Sequence, residues 1–160
     1  MNRRTKDAAL SLLLHIVAAE LVGALSGLLS GDIGGVYRSL SQPPLSPPGW
    51  VFPVVWIALF ACMGAASFLV TRAVAPDRLK NSALVFYGLQ LAVNFLWPIV
   101  FFRFGLFWVA ALVIALLLVL LAATIGKMRR VRPAAAWWMA PYFLWVLFAT
   151  YLNLGVAVLN

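Results

Sequence analysis

Five long apolar segments, at about 8–29, 50–71, 81–102, 105–126 and 134–158, dominate the pattern of hydrophobic and polar positions. Each reaches the roughly 20 apolar residues that a helix needs to cross a bilayer. None alternates apolar and polar residues over about ten positions, as a membrane β-strand would. The pattern predicts an all-α integral membrane protein, a single five-transmembrane-helix bundle spanning residues 1–160 with little mass outside the membrane. The connections are short except for one, so sequential helices are expected to be antiparallel neighbours. The exception, Ser30 to Gly49, contains Gly31, Gly34, Gly35, Pro43, Pro44, Pro47 and Pro48, a density that rules out a continuous helix. Pro47 and Pro48 fit a helix start, where missing N–H groups cost nothing. The loop is long enough to cap a cavity, the alternative being a proline-stiffened linker.

Composition supports the membrane reading. Hydrophobic residues make up 65% of the chain and charged residues 10%, whereas a soluble domain is about a quarter charged. The net charge of +8 invites a nucleic-acid reading, which its distribution removes. Arg3, Arg4 and Lys6 precede the first span. Arg72, Arg78 and Lys80 lie between the second and third, and Lys127, Arg129, Arg130 and Arg132 between the fourth and fifth. These segments share one side of the membrane and hold all but two of the basic residues, Arg38 and Arg103. This positive-inside pattern predicts a cytoplasmic N-terminus, with the 30–49 loop and the C-terminus outside. Helical spans favour a bacterial inner membrane. Cys62, the single cysteine, lies in the second span and reads as a small packing residue. Val17-Ala18-Ala19 resembles a leader cleavage site, but the apolar run continues to Leu29, longer than a leader core, and favours a retained span.

Polar and aromatic residues inside the spans are the candidates for function. Tyr87, Gln90, Asn94 and Trp97 are spaced i, i+3, i+7, i+10 and fall within an arc of roughly 80°. Amides are costly in hydrocarbon, so this stripe should face the bundle interior, either lining a pocket or bonding neighbouring helices. Tyr142, Trp145, Ala149 and Asn153 share a face of the fifth span, with Leu152 beside it; two rings next to a small residue suit a flat ligand. Phe52, Trp56 and Phe60 form a stripe on the second span, read either as pocket or as core packing or an interfacial aromatic belt. Trp108, Trp137 and Trp138 read as an interfacial belt. Glu20 and His15 are ionisable groups inside the first span, an unusual placement, and about 140° apart they do not form a pair. His15 is the only histidine and has no cysteine or carboxylate at ligand spacing, so no metal site is expected. Gly23-x-x-x-Gly27 and Gly88-x-x-x-Ala92 permit close helix contact, internally or in a dimer.

Three ordered motifs carry a resemblance. Pro47, Pro48, Trp50 and Trp56 form the first. Gln90, Leu91, Asn94, Trp97, Pro98, Phe101 and Phe102 form the second. Pro141, Tyr142, Trp145, Ala149, Thr150, Leu152 and Asn153 form the third. From about Gly23 to Asn153 the chain resembles the translocator protein family, also called tryptophan-rich sensory proteins or peripheral benzodiazepine receptors (TspO/MBR). The resemblance implies a five-helix bundle, often a homodimer, with a cavity under the first loop that takes a porphyrin as ligand rather than cofactor. By position, its pocket would include Trp50, Phe52, Val55, Trp56, Asn94, Trp145, Ala149 and Leu152. Tyr87, Gln90, Trp97, Tyr142 and Asn153 complete the candidate set from their helical stripes. Arg38 at the loop could meet a porphyrin carboxylate.

The chain departs from the family pattern at Leu45, where tryptophan usually precedes the double proline, at Val36, which replaces tryptophan before Tyr37, and at Phe60, which replaces tyrosine. Leu154-Gly155-Val156-Ala157-Val158 lacks the tyrosine and arginine of the mammalian cholesterol motif, so cholesterol is not an expected partner. The leading expectation is a tetrapyrrole-binding sensor, carrier or regulator. The alternatives are a light-dependent porphyrin-degrading enzyme using Trp56 and Trp145, a transporter, and an assembly partner of other membrane proteins.

Overall fold

The structure is a computed structural model that describes the backbone of residues 3–160 and side chains from Thr5 onward. The side chains of Arg3 and Arg4, part of the N-terminal basic cluster, lie outside the described residues. Six α-helices follow in order: α1 (Arg3–Leu29), α2 (Ile33–Ser39), α3 (Val51–Thr71), α4 (Asp77–Pro98), α5 (Phe107–Val131) and α6 (Pro133–Leu159). One π-helical turn, Ile99–Arg103, extends α4. Five helices are long and apolar enough to span a bilayer, and they contain the five predicted segments with small boundary shifts. The chain is an integral membrane protein with an all-α five-span architecture.

The spans form a ring. α1 packs on α3, α3 on α6, α6 on α5, and α5 on α4; lighter contact between α4 and α1 closes it. This corrects the expectation that sequential helices are neighbours throughout. α3 and α4 are joined by a short turn yet touch only lightly, because α3 spends its faces on α1 and α6. The close α1–α3 pairing has a local cause. A Cβ on Gly64 would lie 2.5 Å from Ile16 Cα, backbone against backbone, so only glycine permits this approach.

The long loop also differs from expectation. No continuous helix crosses it, as its glycines and prolines require, but Ile33–Ser39 forms a short one. Gly31 takes φ +78° after α1, a conformation that favours glycine. Asp32 then caps α2 by accepting from the Gly35 N–H at 2.8 Å. Pro47 and Pro48 do not start α3. The helix begins at Val51, whose N–H donates to the Pro48 carbonyl, and Pro53 occupies the first turn instead. Pro98, which lacks the N–H that would continue the α4 ladder, leads directly into the π-helical turn.

The loop is fastened to the end of α6. Pro43 is buried on Gly155, where any side chain would collide with its ring. Tyr151 Oη donates to the Pro44 carbonyl at 2.7 Å. Asn160 bonds both the N–H and the carbonyl of Ser41. The C-terminus and the α2 loop therefore occupy the same end of the bundle. Trp108, Trp137 and Trp138, exposed near the first turns of α5 and α6, face outward as belt residues would.

Candidate functional site

The polar stripe of α4 turns inward. Gln90, Asn94 and Trp97 are all buried. Their partners lie chiefly on α6: Asn94 Nδ2 donates to Tyr142 Oη at 2.8 Å, and Tyr142 Oη donates to Gln90 Oε1 at 3.0 Å. Gln90 Nε2 reaches Met63 Sδ on α3 at 3.9 Å. One turn further, Trp97 Nε1 donates to Asn153 Oδ1 at 2.9 Å, while Asn153 Nδ2 donates to the Phe107 carbonyl at the start of α5. These bonds tie α3, α4, α5 and α6 together through side chains that would otherwise be unsatisfied in hydrocarbon. Gln90, Tyr142 and Asn153 are 0–1% exposed. They stand behind the wall of the cavity.

The cavity lies between α1, α3 and α4, with α2 over its mouth, and measures about 610 Å³. α3 supplies Phe52, Pro53, Trp56, Ile57 and Phe60, with Trp50 at its N-cap. α4 supplies Asn94, Trp97 and Pro98, and the π-helical turn adds Phe102. α2 contributes Ile33, Gly34, Tyr37 and Arg38. α1 contributes Glu20, Gly23, Ala24, Ser26 and Gly27. The aromatic wall is internally braced: Trp56 and Phe60 lie 5.6 Å apart, and Tyr37 packs edge-on to Phe52 at 5.0 Å. Tyr37 Oη donates to the Pro47 carbonyl at 2.7 Å, fixing α2 over the mouth. Burial pushes the Tyr37 hydroxyl above the ordinary tyrosine range, so it remains a donor at neutral pH.

Of the candidate site residues, Trp50, Phe52, Trp56, Asn94 and Trp97 line this cavity. Val55, Tyr87, Trp145 and Ala149 belong to or pack against the core, as do Gln90, Tyr142 and Asn153, and Leu152 is buried. Trp145 is separated from the cavity by Phe52, whose ring lies 6.0 Å from its own. Its Nε1 is buried without a hydrogen-bond partner among the described residues. Trp56 and Trp145, the two rings considered for photochemistry, thus lie in different environments. Leu45 and Val36 do not line the cavity; Leu45 is exposed, with φ 66°. No cluster of three metal-ligating side chains occurs among the described residues.

The contribution of α1 to the cavity is the part least legible in the sequence. Gly23 accommodates Phe60, since a Cβ there would overlap its ring, whereas nothing lies within 4 Å of a Cβ built on Gly27. Glu20, Gly23, Ala24 and Gly27 occupy positions i, i+3, i+4 and i+7 of one helix face. That spacing was the available signal: small residues open the face, and one carboxyl stands on it.

Fold and cavity together define a membrane-embedded five-helix bundle with a loop-capped chamber partly walled by aromatic rings. A sequence profile of the TspO/MBR family matches residues 15–159, and the chain belongs to that family. It is 33% identical to Protein CrtK of Rhodobacter capsulatus over 146 residues, covering 91% of this chain and 90% of that protein. It is 34% identical to the tryptophan-rich protein TspO of Chlorobaculum tepidum over 124 residues, 78% of each chain. It is 38% identical to the human translocator protein over 122 residues, 73% of this chain and 70% of that one.

Proposed function

We propose that this protein binds a tetrapyrrole, as ligand rather than cofactor, in the cavity beneath α2, and acts in its sensing, transport or regulation. The observation that carries the reading is the chamber itself. Its volume of about 610 Å³ falls within the range of roughly 300–1,000 Å³ typical of small-molecule sites. Seven aromatic side chains, Tyr37, Trp50, Phe52, Trp56, Phe60, Trp97 and Phe102, line it and can stack on a flat macrocycle. Arg38 at the mouth can pair with a carboxylate on the macrocycle edge. Membership of a family that includes proteins named translocator and sensory supports the same class of role.

The basic ends of the spans support an N-terminus in the cytoplasm and a cavity mouth on the opposite side, in a bacterial inner membrane. A homodimer remains part of the proposal. Cholesterol does not, because its recognition motif is missing from the end of α6.

Titration of the purified protein with protoporphyrin IX tests the reading. Tryptophan quenching should saturate at micromolar ligand with one site per chain. Trp56→Ala should weaken binding about tenfold, the loss of one aromatic stacking partner. Linear quenching that ignores the substitution would mean partition into detergent or lipid, and would overturn the proposal.

A further inference from the structure

The cavity has one ionisable side chain within the depth of a span. Glu20 lines it from α1, about 14 Å along the helix from Leu29 at a rise of roughly 1.5 Å per residue. Arg38, the other charged lining residue, lies on α2 at the mouth. Around Glu20 the α1 face is bare: Gly23, Ala24 and Gly27 offer no side chain beyond a methyl group. Trp56, Ile57 and Phe60 line the cavity from α3. The sole ion pair among the described residues joins Lys80 to Asp77, so Glu20 has no cationic partner there. Its carboxyl also makes none of the hydrogen bonds that occupy the polar stripe of α4. A carboxyl so placed is costly in an apolar setting unless something meets it. The α3 residues that line the same cavity, Trp56, Ile57 and Phe60, carry no charge to pair with it.

We propose that Glu20 forms a deep subsite for the basic nitrogen of an aromatic ligand, so that the cavity selects flat apolar molecules carrying a protonated amine over equally apolar ones without it. The carboxylate would accept a charge-assisted N⁺–H···O⁻ bond in a low-dielectric setting, where such a bond is strongest. The aromatic wall would hold the ring system. The inference rests on the same cavity as the tetrapyrrole reading and not on the identity of the natural ligand.

A matched pair of probes isolates the carboxyl. N,N-dimethyl-1-naphthylmethylamine and 1-isobutylnaphthalene have nearly the same shape and differ in the basic nitrogen. Binding would be measured by equilibrium dialysis on protein in lipid nanodiscs, with empty nanodiscs subtracted. Wild-type protein should prefer the amine by about tenfold or more, the range of one charge-assisted bond. Glu20→Gln preserves size and should abolish the preference; saturable binding of the hydrocarbon to the variant, together with an unfolding midpoint like that of the wild type, reports an intact fold. Equal preference in wild type and Glu20→Gln would overturn the subsite. Saturable protoporphyrin binding without amine preference would remove the subsite and leave the tetrapyrrole reading. Amine preference dependent on Glu20, without protoporphyrin binding, would do the reverse.

Discussion

Replacing Gly64 by alanine is expected to cost about 3 kcal/mol of stability, although it adds one methyl group. The new Cβ would sit 2.5 Å from Ile16 Cα and 2.8 Å from the His15 carbonyl oxygen. Those atoms are backbone, so relief requires α1 to move away from α3 as a body. Overpacking of this kind costs roughly 1–3 kcal/mol where side chains can yield, and here they cannot. Moving α1 would also disturb the cavity, which has α1 as one wall. The same change at Gly126 on α5 meets nothing within 4 Å. There alanine should be neutral or stabilising by up to about 1 kcal/mol, because it favours helix over glycine. Unfolding midpoints of the two variants in one detergent make the comparison. A clear fall for Gly64→Ala alone is the expected result; equal midpoints would contradict the close α1–α3 crossing.

The second large effect concerns Tyr142. Tyr142→Phe removes one oxygen but strands two amides, Asn94 Nδ2 and Gln90 Oε1, which currently bond to it. Each unsatisfied buried group costs on the order of 1–3 kcal/mol. Interhelical bonds in membranes sit toward the low end, so a total near 2 kcal/mol is expected. Replacing the whole set at once, with Gln90→Met, Asn94→Leu and Tyr142→Phe, leaves no stranded partner. The triple variant should be less destabilised than the sum of the three single changes. Strict additivity, measured by unfolding, would mean that the three side chains do not act as one network.

Much of this architecture is legible in the sequence. A bilayer demands a fixed apolar length, so five spans follow from composition and spacing. The inward turn of Gln90, Asn94 and Trp97 was also legible, because amides are expelled from lipid. What their spacing could not distinguish was a wall from a seam. Asn94 does both: it lines the cavity and bonds Tyr142. Gln90 and Asn153 use their groups between helices. The face of α6 that carries Tyr142, Trp145 and Ala149 suits a pocket wall by its sequence, and in the fold it packs in or against the core of the bundle. The order of helices around the ring decides this, and the short α3–α4 turn gave a misleading cue to it. On α1 the sequence offers Glu20 and His15 as unusual polar groups and Gly23 and Gly27 as close-contact positions. Only the fold shows that Gly23 is filled by Phe60 while Gly27 opens into space. The small helix α2 is hard to read from a glycine-rich segment, and Asp32 placed before Gly34 and Gly35 supplies its cap.

The central claim is that ligand occupies the chamber between α1, α3 and α4 beneath α2. The most direct test is to fill that space without disturbing packing. Gly27→Phe places a ring in the cavity, and nothing lies within 4 Å of its Cβ to be displaced; Gly126→Phe adds the same ring in open space on α5 as a control. Protoporphyrin IX would be titrated into both variants and the wild type, following the shift of porphyrin absorbance. Loss of saturable binding in Gly27→Phe, with wild-type affinity in Gly126→Phe, is the expected result. Undiminished binding by a correctly folded Gly27→Phe protein would place the ligand elsewhere and contradict the account.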